Sequence, residues 1–164
     1  QTIQGLNTLP LRMERHCENA RRVAEFLRDD DRVDWVSYPG FADHDSHDNA
    51  AEYLDGFGGM VTFGVDGGYE AAKTFCESVN LTSFLANIGD AKTLVIHPAS
   101  TTHAQMDADE QRLAGVYPEM LRLSVGIEDP DDVIADLDAG LAAGERAAAG
   151  RSEEERAADE GADR

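Results

Sequence analysis

The chain has 164 residues, of which 41% are hydrophobic, enough for one domain with a buried core. Its formal charge of −19, from 33 acidic against 14 basic residues, repels nucleic acid and anionic membrane surfaces. No run of about 18 apolar residues is present to span a bilayer.

Only two of the basic residues are lysines, Lys73 and Lys92, and the acid excess is spread along the whole chain. That pattern predicts a salt-rich cytoplasm, where close screening makes the self-repulsion tolerable, and so a halophilic source. No signal peptide is visible, and the expected location is cytoplasmic. The first residue is Gln1, so the natural start and any N-terminal address stay open.

In chain order, residues 10–29 place Met13, Cys17, Ala20, Ala24 and Leu27 at three- and four-residue steps, which predicts an amphipathic helix opened by Pro10. Cys17 and Cys76 each fall among apolar neighbours at helical spacing and read as buried free thiols. Residues 33–38 read as a strand ended by Pro39-Gly40, with Trp35 as a core or interface anchor. His44 and His47 lie among Asp43, Asp45 and Asp48, but no second ligand pair at metal spacing accompanies them. A solvated loop is the reading there, and no metal site is assigned.

A short helix near residues 49–54 leads to a central strand over 58–65, entered through Gly58 and Gly59. A helix over 69–79 buries Ala72, Phe75, Cys76 and Val79, and residues 81–86 read as a strand. Residues 93–96 form a β-branched and aliphatic strand stopped by Pro98, and a helix starts near 107–111. Residues 121–125 alternate strictly, with Leu121, Leu123 and Val125 on one face and Arg122 and Ser124 on the other. Asp129 caps a last helix whose stripe is Val133, Ile134, Leu137 and Leu141. Beyond Leu141 no large apolar residue occurs, so residues 144–164 are expected to be a solubilising tail, disordered or a fraying helix. Alternating helices and strands make the fold class α/β (α+β).

Three separated stretches carry a resemblance: Gly-Leu-Asn-Thr-Leu-Pro-Leu-Arg-Met-Glu-Arg-His-Cys-Glu-Asn at 5–19, Asn-Ile-Gly-Asp-Ala-Lys-Thr-Leu-Val-Ile-His-Pro-Ala-Ser-Thr-Thr-His at 87–103, and Arg-Leu-Ser-Val-Gly-Ile-Glu-Asp at 122–129. Together they resemble the C-terminal domain of the pyridoxal-phosphate-dependent Cys/Met-metabolism enzymes, with the O-acetylhomoserine sulfhydrylases most alike. The resemblance covers roughly residues 4–144. It implies a small, mostly antiparallel sheet with helices on one side, the C-terminal domain of a type I pyridoxal-phosphate transferase fold, over residues 1–143, followed by the tail.

The resemblance also implies a site. Arg122 matches the family arginine that binds the substrate α-carboxylate, a role its planar fork suits. Asn87 matches a position, often serine, that helps hold the same carboxylate; its amide keeps a donor. Thr102 and His103 match the loop that closes the substrate pocket, whereas His97 is read as fixing the Pro98 turn. The Schiff-base lysine and the other cofactor ligands belong to the family's larger domain. Neither Lys73 nor Lys92 has their context, so no residue here is assigned to catalysis or to the cofactor.

The expected function is thus one part of an enzyme that replaces the γ-acetoxy group of O-acetylhomoserine by sulfide or methanethiol, with pyridoxal phosphate as cofactor. Its partners would be an amino-acid substrate, the cofactor-binding domain and further copies in a dimer of dimers, and the chain alone would be inactive. Cystathionine γ-synthesis, cystathionine γ-lyase and methionine γ-lyase activities share the motifs. A reading from another class is a non-catalytic module that binds amino acids or serves oligomerisation.

Overall fold

The computed structural model describes the backbone of residues 2–162 and the side chains of residues 2–151. A short helix α1 (Thr2–Asn7) precedes the long helix α2 (Leu9–Arg28), which has Pro10 in its first turn, where a missing N–H costs nothing. Strand β1 (Val33–Ser37), helix α3 (His47–Tyr53), strand β2 (Met60–Val65) and helix α4 (Gly68–Ser78) follow. Next come β3 (Ser83–Phe84), β4 (Leu94–Ile96), a 3-10 turn at Pro98–Ser100, α5 (Ala108–Leu113), β5 (Met120–Ser124) and α6 (Pro130–Ala162).

The five strands form one sheet in the order β1-β2-β5-β4-β3, antiparallel except for the β3–β4 pair. Period-two alternation decides which side is covered. Val61, Phe63, Val65, Val95, Leu121 and Leu123 point to one face and are buried with Val23, Ala24 and Leu27 of α2, Phe75 of α4, and Val133, Leu137 and Leu141 of α6. All the long helices thus pack on one side, as expected. Arg122 and Ser124 point to the other face.

Two local expectations need correction. On α2 the buried stripe is His16, Asn19, Ala20, Val23, Ala24 and Leu27, while Met13 is 38% exposed and Cys17 half-buried. Polar residues displace the predicted apolar ones because the chain after β5 presents carbonyls to this helix. Asn19 donates to Gly126 O and Glu128 O at 3.0 and 2.8 Å, and His16 Nδ1–H donates to Val125 O at 2.6 Å.

The predicted strand over 81–86 shrinks to two residues. Asp136 of α6 accepts the amides of Asn80 and Thr82 at 2.7 and 2.8 Å, which bends the chain just before β3. Burial opposes ionisation of this carboxyl, but the amides of Asn80, Thr82 and Leu81 outweigh it and hold its pKa below the ordinary value.

Of the two expectations for residues 144–164, the backbone shows helix, continuous as far as Ala162. Gly144 is buried against α4, where a Cβ would come within 2.9 Å of Ala71 O, so only glycine permits this approach. Ala148 also packs against the core. The helix therefore stays packed past residue 143; the side chains beyond Arg151 lie outside the described residues.

Candidate functional site

The site is built on the sheet face that the long helices leave free. The amide of Val125 donates to Gly59 O and that of Val65 to Glu119 O, so hydrogen-bonded and non-bonded pairs alternate between these two points. Thr62 and Arg122 face each other in this register as a non-bonded pair, with Cα atoms about 4.5 Å apart and side chains adjacent. Ser37 lies opposite Thr62 on β1, and Ile96 opposite Arg122 on β4. A row runs across four strands: Ser37, Thr62, Arg122, Ile96.

Arg122 is half-buried and makes no hydrogen bond or ion pair with any described residue. This is notable in a chain with 33 acidic residues, where Arg15, Arg21, Arg22 and Arg32 all find carboxylates. Arg32 shows what a paired guanidinium looks like here: it contacts Asp30 and Asp138 at 2.6 and 2.5 Å, and its hydrogen bond to Asp30 pulls that carboxyl below its ordinary pKa. A half-buried fork on a strand, unpaired among the described residues, can donate two parallel hydrogen bonds to a carboxylate.

Asn87 stands at the top of an arch between β3 and β4. The arch has a foot at each end: Leu85 N–H donates to Val95 O at 3.2 Å, and Gly89 N–H donates to Ser124 Oγ at 3.2 Å. Asn87 Oδ1 accepts from Ile88 N–H at 2.9 Å, which commits the amide oxygen and leaves the NH2 as the outward donor. The arch thus hangs from Ser124, two residues along the strand from Arg122, and among the described residues no hydrogen bond joins Asn87 to Arg122.

Thr102 lies beyond the 3-10 turn, exposed, with Oγ1 2.9 Å from His103 Nδ1. Among the described residues no hydrogen bond joins it to Arg122 or Asn87. His97 is fully buried. Its Nε2–H donates to Pro118 O at 2.7 Å, so in the neutral ring Nδ1 accepts from Ser100 Oγ–H at 2.9 Å. Burial holds the pKa of His97 below its ordinary value, so the ring stays neutral and spans the two ends of segment 98–119. Trp35 donates to Glu119 at 3.3 Å and packs edge-on against Tyr117.

His44 and His47 point to separate partners. His44 accepts Ser46 N–H on Nδ1 and so donates from Nε2 to Ser37 Oγ at 3.1 Å, while His47 donates to Pro39 O at 2.8 Å and stacks on Phe57. Lys73 is exposed on α4, in the helical layer away from Arg122, and Lys92 is exposed in the loop before β4.

Sequence reasoning missed Ser124 and Thr62. Each is the polar member of an alternating strand, on the same face as Arg122, and that phase was the available signal.

The fold is thus a mostly antiparallel sheet with its long helices on one side and, on the other, an arginine that is unpaired among the described residues. The sequence pattern of the Cys/Met metabolism PLP-dependent enzymes matches residues 1–142, and the chain belongs to that family. It is 52% identical over 141 residues to O-acetyl-L-homoserine sulfhydrylase 1 of Thermus thermophilus, covering 85% of this chain and 34% of that protein. It is 43% identical over 139 residues to an L-methionine gamma-lyase of Fusobacterium nucleatum, covering 85% of this chain and 35% of that protein. Among solved structures, cystathionine gamma synthase from Xanthomonas oryzae, in complex with aminoacrylate and cysteine, superposes with a TM-score of 0.83. The identity there is 40%, over 89% of this chain and 38% of that one. The chain spans about a third of the length of the curated relatives it matches.

Proposed function

We propose that this chain forms the substrate-carboxylate side of the active site in an O-acetylhomoserine sulfhydrylase-like enzyme, which replaces acetate by sulfide or methanethiol to give homocysteine or methionine. The observation that carries the reading is Arg122: half-buried, unpaired in an acid-rich chain, and carried on the open face of the sheet. In this reading Arg122 takes the α-carboxylate through its fork, the Asn87 NH2 donates to the same group, and Thr102 closes the wall. Holding the carboxylate at two points fixes which face of the α-carbon is presented for proton removal, a positioning effect. Pyridoxal phosphate, held by the remaining two-thirds of the complete protein, supplies an electron sink for negative charge on the substrate.

Residues 1–143 would be the small C-terminal domain and 144–164 an acidic appendage to it. Phe84, Leu85 and Ile88 are exposed around Asn87 and give the cofactor domain an apolar surface to rest on. The working assembly would be a cytoplasmic dimer of dimers in a salt-rich cell.

A second reading, methionine γ-lyase activity, is favoured by the 43% identity to the Fusobacterium enzyme. The complete protein separates them. Sulfide-dependent formation of homocysteine from O-acetylhomoserine supports the first reading. Release of methanethiol and 2-oxobutyrate from methionine, with no turnover of O-acetylhomoserine, overturns it in favour of the second.

A further inference from the structure

We infer that Ser124 is a positioning residue that holds the arch carrying Asn87 down onto the strand carrying Arg122; the inference rests on the carboxylate-site reading above. Four observations converge on it. Ser124 is 4% exposed although alternation places it on the open face, because the arch covers it. Its hydroxyl oxygen accepts the Gly89 amide, and Gly89 has φ +74°, a left-handed conformation that turns this N–H down onto the strand. Among the described residues this is the hydrogen bond that ties the arch to the strand carrying Arg122.

The chain on either side of the arch is already fixed to other groups. Before it, Ser83 N–H and Leu85 N–H donate to Thr93 O and Val95 O. After it, Glu128 accepts both the amide and the hydroxyl of Thr93 at 2.6 and 2.9 Å, and Ile127 N–H donates to Ala91 O at 2.9 Å. Between these fixed points lie residues 86–90, with Asn87 among them, and Ser124 ties this span to β5 through Gly89. In the carboxylate-site reading the serine hydroxyl therefore couples the two donors: without it the arch that carries Asn87 is no longer tied to the strand that carries Arg122.

The test uses the complete enzyme with Ser124→Ala and Ser124→Thr. A cavity of about 110 Å³ bordered by Ser124, Gly89, Met60 and Ile88 leaves room for the threonine methyl, so Ser124→Thr keeps the oxygen without displacing the arch. Ser124→Ala is expected to speed amide exchange across residues 85–93 roughly fivefold, the effect of one lost hydrogen bond. It should also raise KM for the amino-acid substrate by a similar factor with kcat within about twofold, and Ser124→Thr should restore both. Arg122→Ala is run beside them. Unchanged exchange in Ser124→Ala overturns the positioning role, and so does faster exchange with unchanged KM when Arg122→Ala raises KM. An unchanged KM in both variants overturns the carboxylate reading itself, and the positioning role with it.

Discussion

His97 and Arg122 are both polar residues within or beside the central strands, and they end in opposite roles. His97 has both ring nitrogens engaged and no exposure, so it acts as a clasp between Ser100 and Pro118. Its folded pKa is depressed by burial, while the unfolded ring titrates near about 6.5. The unfolded state therefore binds more protons below that pH. The stabilisation is complete above about 6.5 and is lost as pH falls through the lower folded value. Replacing His97 with Ala leaves Pro118 O and the Ser100 hydroxyl without their partner in a packed site, at a cost of about 3 kcal/mol in urea unfolding at pH 7.5. The variant should also lose this pH-dependent component between pH 7 and pH 5. A cost below about 1 kcal/mol would show that the clasp carries little.

At the scale of elements, the strands, the long helices and the open face were legible because period-two and period-3.6 patterns report burial directly. The alternation through residues 121–125 put Arg122 on the right face. What escaped were features made by partners distant in sequence. Nothing near Ser124 indicates that Gly89, 35 residues earlier, will cover it. Nor does α2 itself indicate that His16 and Asn19 will turn inward, since the carbonyls they serve lie more than 100 residues downstream. The close packing of α6 escaped for a related reason: small residues, useless for an apolar stripe, are what let it lie close against α4.

Asn19 tests this lesson. Its side chain satisfies two carbonyls in the β5–α6 linker, so Asn19→Ala should cost about 2 kcal/mol despite being an excellent helix-former substitution. Thermal unfolding of the variant beside wild type measures it. An unchanged or raised midpoint would mean that helix propensity outweighs the lost bonds.

For the whole molecule, the charge of −19 on 164 residues is a standing repulsion that compactness must overcome. Raising KCl from 0.1 to 1 M shortens the screening length from about 10 to about 3 Å. The melting temperature should therefore climb by at least about 3 °C, what roughly 1 kcal/mol gives at this size. A fall in midpoint with salt would contradict the salt-rich setting.

The same acidity sharpens the meaning of Arg122. With carboxylates abundant, a half-buried guanidinium left unpaired by all described residues is the observation on which the proposed carboxylate role rests. The most direct measurement is steady-state kinetics of Arg122→Ala and Arg122→Lys in the complete enzyme. Loss of a charge-assisted fork should lower kcat/KM for the amino-acid substrate by about 3 kcal/mol, roughly 10²-fold, in Arg122→Ala. Arg122→Lys should recover part of this, since a point charge attracts the carboxylate without orienting it. Kinetics of Arg122→Ala equal to those of wild type would contradict the account.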